Sequence, residues 1–244
     1  MESNIQHNEV AQASRILFAH GLVDAFGHVS QRHSVRTMHF LMSRSMAPGL
    51  VDETDVLEHD ENGELVTGSD GRPFLERFIH AEIYRARPDV NAIVHSHSPS
   101  VLPFTVVPEV RLRPLGHMCG FLAAVGRPFE ISDFAGPASD LLIRDAKLGE
   151  ALARHLGADA VVLMRGHGFT AVGANIREAV FRAIYTGSAA QLQVSALQLG
   201  VPRYLTDEEA AACAQTTSSQ QDRAWNLWVA QLNFQSHPRN ESLP

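Results

Sequence analysis

The stretch ADAVVLMRGHGFTAVG, residues 158–173, limits the possible folds more than any other. It is apolar at every position from Ala160 to Met164, so a strand there carries apolar side chains on both faces. Such a strand needs cover above and below, which places it in a sheet between helical layers. Arg165-Gly166-His167-Gly168 then reads as a Gly-rich turn, and FTAVG as a second short strand. DVNAIVHSHS (89–98) is another strand running into a loop, and TMHFLM (37–42) is one more. DVLEHDENGELV (55–66) reads as two short strands around Asn62-Gly63, a hairpin signal.

Helical spacing of apolar residues accounts for most of the rest. NEVAQASRILFAHGL (8–22) ends at Gly21, a C-cap residue. RPFLERFIHAEIYRARP (72–88) has Pro73 near its start and Pro88 just past its end. SDLLIRDAKLGEALARHLG (139–157) stops at Gly157, and IREAVFRAIYTGSAAQLQVSALQLG (176–200) is long and mildly interrupted by Gly187. A last helix is expected over 207–234, weakest at its Thr-Ser stretch, and the tail 237–244 reads as frayed. Helices and strands alternate, with no repeat and no low-complexity linker. One α/β domain over 1–236, with a mixed sheet between helical layers, fits this order.

Net charge is −7 and there is no basic stripe, which argues against nucleic acid as a partner. The N-terminus MESNIQHNEV lacks a basic and then apolar leader pattern. No run approaches the roughly 18 uninterrupted apolar residues of a membrane span. The cytoplasm is the expected compartment and a small molecule the expected substrate. Cys119 and Cys213 stand far apart and outside any CxxC pair, so neither a disulfide framework nor a thiolate zinc site is expected. Histidine, at 13, is the abundant ligand type.

His95 and His97 are two apart, so on a strand they point the same way. They read either as a metal-binding pair or as two polar residues ending a strand. His167, between two glycines, reads either as a ligand presented at a sheet edge or as an exposed turn residue. Taken together the three supply neutral imidazoles of the kind that hold a catalytic divalent ion. Zinc suits them, and manganese, iron or cobalt accept the same ligands. Glu76 falls in the first turn of its expected helix, where a carboxylate favours the helix dipole, or where it accepts and returns a proton beside a metal. His80 and Tyr84 follow at helical spacing. Gly27-His28 reads as a turn entering a strand, with His28 contacting a substrate anion or capping the turn. Ser43, Arg44 and Ser45 after TMHFLM form either a carboxylate clamp or a solvated loop.

In this order, these residues resemble the class II aldolase/adducin-like family. The strongest segments are ERFIHAEIYRARPDVNAIVHSHSPS and MRGHGFTAVGANIREAVFRA. The resemblance implies an α/β/α sandwich around a central, mainly antiparallel sheet, and zinc on His95, His97 and His167. It further implies Glu76 as acid/base and a homotetramer with active sites between subunits. The family's sugar-phosphate aldolases carry Gly-Asn where this chain has Gly27-His28, and Ser-Ser-Glu where it has Phe74-Leu75-Glu76. They also carry a Thr/Ser-x-Ser-Gly-type loop where it has SRSMAPG, and these small polar residues cradle the phosphate. DAFGHVS, SRSMAP and Glu76 look instead like the family's decarboxylase branch. That branch implies a non-phosphorylated hydroxy aromatic or dienoic di-acid, with one carboxylate held by Arg44 and the other lost. An aldolase for an unphosphorylated substrate is the alternative. A non-catalytic adducin-like binding module is a second one, against which the three histidines and Glu76 argue.

Overall fold

A computed structural model describes residues 2–66 and 71–236. The expected frayed tail, 237–244, lies outside the described residues. Helix α1 (Glu2–Ala19) leads to strands β1 (His28–Arg32), β2 (Phe40–Ser43) and β3 (Val56–His59). Then come α2 (Arg77–Ala86), β4 (Ala92–Ser96) and two single-turn helices, α3 (Pro103–Val106) and α4 (Ser132–Ala135). Helix α5 (Ala146–Leu156), strands β5 (Val161–Met164) and β6 (Gly168–Gly173), and helices α6 (Ile176–Leu199), α7 (Asp207–Ser218) and α8 (Gln221–Ser236) complete the order.

The six strands form one sheet in the order β3-β2-β1-β4-β6-β5, and every ladder in it is antiparallel. Its one parallel contact is an isolated bridge between Phe129 and Met164. The period-2 alternation of the strands sorts side chains between two cores. Val29, Val94, Leu163, Phe169 and Ala171 pack with α1, α6 and α8 on one face. Met42, Ile93, Val162 and Val172 pack with α2 and α5 on the other. The sheet therefore lies between two helical layers, the expected α/β/α sandwich. Among the described residues, no helix is long and apolar enough to cross a membrane.

Several boundaries differ from those the sequence suggests. Helix α2 starts at Arg77 rather than near Pro73, because Glu76 has non-helical torsions (φ −92°, ψ 19°) and its carboxylate caps nothing in its own helix. Helix α5 starts at Ala146 rather than Ser139. Leu141 sits at φ 65°, and the Asp145 side chain accepts the Leu148 N–H as an N-cap. The expected helix over 207–234 is two helices, broken at Ser219-Gln220, where Ser218 and Ser219 hydroxyls bond back to carbonyls three residues earlier. Helix α6 runs through Gly187 unbroken. The Asn62-Gly63 turn forms, but its second arm shrinks to one bridge, His59 with Leu65.

Candidate metal centre and substrate cavity

Register on the sheet builds the centre. His28 of β1 lies directly opposite His95 of β4, and His95 opposite Thr170 of β6. Directly opposed residues share a face, here the face covered by α2. His97 follows two positions after His95 and His167 sits in the β5–β6 turn. That turn hugs β4 because residue 168 is glycine: a Cβ there would meet the Ser96 carbonyl oxygen at 2.1 Å. The Thr105 hydroxyl, which nothing in the sequence marks, accepts the Gly166 N–H at 3.1 Å and steadies the turn.

The three imidazoles converge through the same atom. Nε2 of His95 lies 3.0 Å from Nε2 of both His97 and His167, which are 3.1 Å apart. Glu76 Oε2 closes the fourth side, at 3.6 Å from His95, 3.9 Å from His97 and 3.4 Å from His167. Among the described residues, these four form the group that could hold a metal ion. The triangle is close to the roughly 3.3 Å edge that tetrahedral metal–nitrogen bonds of about 2.0–2.1 Å require. The Thr170 hydroxyl donates toward the Met164 sulfur and so accepts from His95 Nδ1, at 3.1 Å. That leaves a lone pair on His95 Nε2, the state a metal ligand needs. The donor set and its support thus fit a divalent ion.

Electrostatics agree. Burial holds His95 well below the usual imidazole pKa, so it stays neutral. Burial alone would raise the Glu76 carboxyl, but the facing imidazoles of His167, His97 and His95 outweigh it and keep the pKa well below the ordinary value. Glu76 is therefore a carboxylate although it is 6% exposed. Its other oxygen, Oε1, accepts the Ile143 backbone N–H at 3.0 Å. This anchor was invisible in the sequence, because the helical pattern ran straight through residue 143.

The cluster opens on a cavity of about 440 Å³. Its walls come from Ala25–His28, Ser45–Ala47, Phe74–Glu76, His97 and Leu142. Gly27, at φ 96°, lets the first of these loops cross β4: its pseudo-Cβ would stand 3.1 Å from the His95 carbonyl oxygen. Of the expected substrate-binding residues, His28 and Ser45 line the cavity. Ser43 is buried at the end of β2, and neither it nor Arg44 lines the cavity. Arg44 Nε donates instead to Asp55 at 2.8 Å. Arg44, the expected carboxylate clamp, thus stands outside the cavity lining with its Nε paired to Asp55. Sequence reasoning missed Phe26, Met46 and Leu142, apolar residues in loops without periodicity. His80 is fully buried behind His28 and does not reach the cavity.

Residues 8–194 match the family model described as the Class II Aldolase and Adducin N-terminal domain. The decarboxylase tropJ of Talaromyces stipitatus is 39% identical over 240 residues, which is 89% of this chain and 90% of that protein. A 3,4-dihydroxyphthalate decarboxylase of Terrabacter is 30% identical over 199 residues, covering 78% of this chain and 81% of that one. Among solved structures, an aldolase II superfamily protein from Pseudomonas syringae superposes with a TM-score of 0.79 at 20% identity, over 96% of this chain and 94% of its own. That likeness is one of fold.

Proposed function

The chain belongs to the class II aldolase and adducin family, and within it we propose a carbon–carbon lyase that removes carbon dioxide from a hydroxy-carboxylic acid at a divalent metal ion. The observation that carries this reading is the His95–His97–His167–Glu76 cluster opening on a largely apolar cavity. No Arg or Lys is among the described residues lining it. A sugar phosphate needs cations or a cradle of donors, whereas Phe26, Met46, Phe74, Leu75 and Leu142 suit a flat ring or a diene. The named decarboxylases that this chain resembles support the same direction. With Arg44 Nε paired to Asp55, the described residues that line the cavity include no cation for a second carboxylate. The substrate is accordingly a planar, non-phosphorylated hydroxy acid whose reacting carboxylate lies beside the metal.

His95, His97 and His167 would hold the ion; zinc fits the donor set, and manganese, iron or cobalt take the same ligands. The ion supplies a Lewis acid that lowers the energy of the electron pair left on carbon when the bond breaks. Glu76 Oε2 takes the proton of the substrate hydroxyl, while Oε1 stays anchored on Ile143. Once carbon dioxide leaves, Glu76 returns that proton to the carbon. The apolar walls exclude water and keep the ring in register with Glu76. His28 meets a substrate oxygen from the β1 side of the cavity.

The test is carbon dioxide release from a panel of hydroxylated aromatic and dienoic acids, using protein stripped of metal and reloaded with single divalent ions. Release that depends on the added ion, and that disappears together with bound metal in His97→Ala, is expected. A sugar phosphate bound tightly and cleaved to an aldehyde and a ketone would establish the aldolase alternative instead.

A further inference from the structure

Behind His28 runs a buried row of polar side chains that the proposed chemistry does not use. His28 Nδ1 lies 2.7 Å from His80 Nε2. His80 Nδ1 lies 2.6 Å from Ser30 Oγ, and Ser30 Oγ lies 2.7 Å from Tyr84 Oη. All four residues are buried, His80 and Ser30 completely. The row begins at the cavity wall and ends inside the protein, because Tyr84 Oη has no other hydrogen-bond partner among the described residues.

The dead end fixes the direction of every proton. Burial pushes the Tyr84 phenol well above its usual range, so its hydroxyl keeps its hydrogen. That hydrogen has one acceptor, Ser30 Oγ, since a buried donor left unmatched costs more than any reorientation of the row. Ser30 then donates to His80 Nδ1, and His80 donates from Nε2 to His28 Nδ1. His28 therefore carries its own proton on Nε2, the nitrogen left for the cavity. The opposite polarity would leave the Tyr84 hydrogen without an acceptor among the described residues. The Arg32 guanidinium, 4.7 Å from the Tyr84 ring centroid, holds that ring in place.

The geometry points to a positioning relay in which Tyr84, Ser30 and His80 lock His28 as a hydrogen-bond donor, Nε2–H, to an oxygen of the substrate. This deepens the decarboxylase reading and rests on it for the identity of that oxygen: an anionic hydroxyl or enolate oxygen gains from a donor, and a lone pair on Nε2 would repel it. It also assigns the two polar walls of the cavity different work. Glu76 moves the proton, and His28 steadies negative charge without changing its own protonation.

The test reads the tautomer directly and the kinetics separately. In zinc-loaded protein labelled with 15N-histidine, the His28 ring, assigned by its loss in His28→Asn, should show a protonated Nε2 and an unprotonated Nδ1. Tyr84→Phe keeps the ring and removes the terminal hydrogen. It should mix the two His28 tautomers, leave bound metal unchanged and lower kcat about tenfold with little change in KM. His80→Gln offers an amide N–H in place of imidazole Nε2–H and should recover most of the kcat lost in His80→Leu. Wild-type protein with its His28 proton on Nδ1 would overturn the relay, as would Tyr84→Phe with wild-type kcat and an unchanged spectrum. The spectrum does not depend on the reaction, so the expected tautomer in a protein that decarboxylates nothing would refute the functional reading and leave the relay standing.

Discussion

At the scale of single residues, the same chemistry gives Glu76 and His59 opposite fates. Glu76 is buried but faces three imidazoles and one N–H, so it stays charged and available. Glu76→Gln keeps the acceptor for Ile143 but cannot cycle a proton. Turnover should fall by roughly 10²–10⁴ while metal analysis stays near the wild-type value; near-normal turnover would move the acid/base role to another group. His59 is fully buried and stacked on Phe40 at 4.9 Å between centroids, and neither ring nitrogen has a hydrogen-bond partner. Burial, helped by the Arg77 guanidinium, lowers its pKa from 6.5 to about 4. The unfolded chain therefore takes up this proton first as pH falls. The stability His59 contributes as a neutral ring is intact above pH 6.5 and is lost between there and about pH 4, by about 3 kcal/mol in all. His59→Phe keeps the stacked ring and removes the titration. Denaturant melts at pH 8 and pH 5 should show the variant gaining on wild type as the pH drops; parallel curves would contradict this.

At the scale of elements, the site depends on two helices keeping their distance. Helix α2 carries Glu76 at its N-cap, and the segment before α5 carries the Ile143 N–H that anchors it. The two helices touch where residue 149 has no side chain: a Cβ there would lie 2.5 Å from the Phe78 carbonyl oxygen and 2.8 Å from Glu82 Cγ. Gly149→Val should push α5 off α2 at a cost of about 1–3 kcal/mol. The melting temperature should drop by several degrees, and activity should fall further than the unfolded fraction explains. Gly126→Ala, with nothing within 4 Å of its new methyl, is the control and should match wild type. The strands and the three histidines were legible because period-2 alternation states which side chains share a face. Pro73 and Ser139 misled because helix starts here are set by tertiary partners: the carboxylate of Glu76 leaves its own helix for Ile143, and Asp145 caps a helix whose apolar spacing began earlier. The relay behind His28 was illegible for a related reason. Ser30 and His80 are 50 residues apart, and only the packing of α2 on β1 brings them together.

At the scale of the whole molecule, helix α6 carries more apolar surface than one subunit covers. Its first turns pack on the sheet through Ile176, Ala179, Val180 and Ala183. Its last turns instead expose Leu192, Val194, Leu197 and Leu199, and Val201 follows fully exposed. Fully burying a Leu or Val side chain is worth about 1.5–3 kcal/mol, so leaving Leu199 and Val201 in water and Leu192, Val194 and Leu197 partly exposed is a cost that a second copy of the chain would remove. The cavity, for its part, has no cation among the described residues that line it, and Ala25–Gly27, Ser45–Ala47 and Phe74–Leu75 wall it from outside the helices and strands. Both features fit a homo-oligomer, a tetramer by the family resemblance, with neighbouring subunits completing the sites. Light scattering at micromolar concentration should report several chains per particle. Charge placed on this surface, as in Leu199→Glu combined with Val201→Glu, should shift the protein toward the monomer and lower activity on dilution, without changing the far-UV signal of a single fold. Neither residue lies in the cavity, so activity lost together with the oligomer would trace to the missing neighbour rather than to the chemistry. A monomer with full activity would sink the assembly and the shared site together.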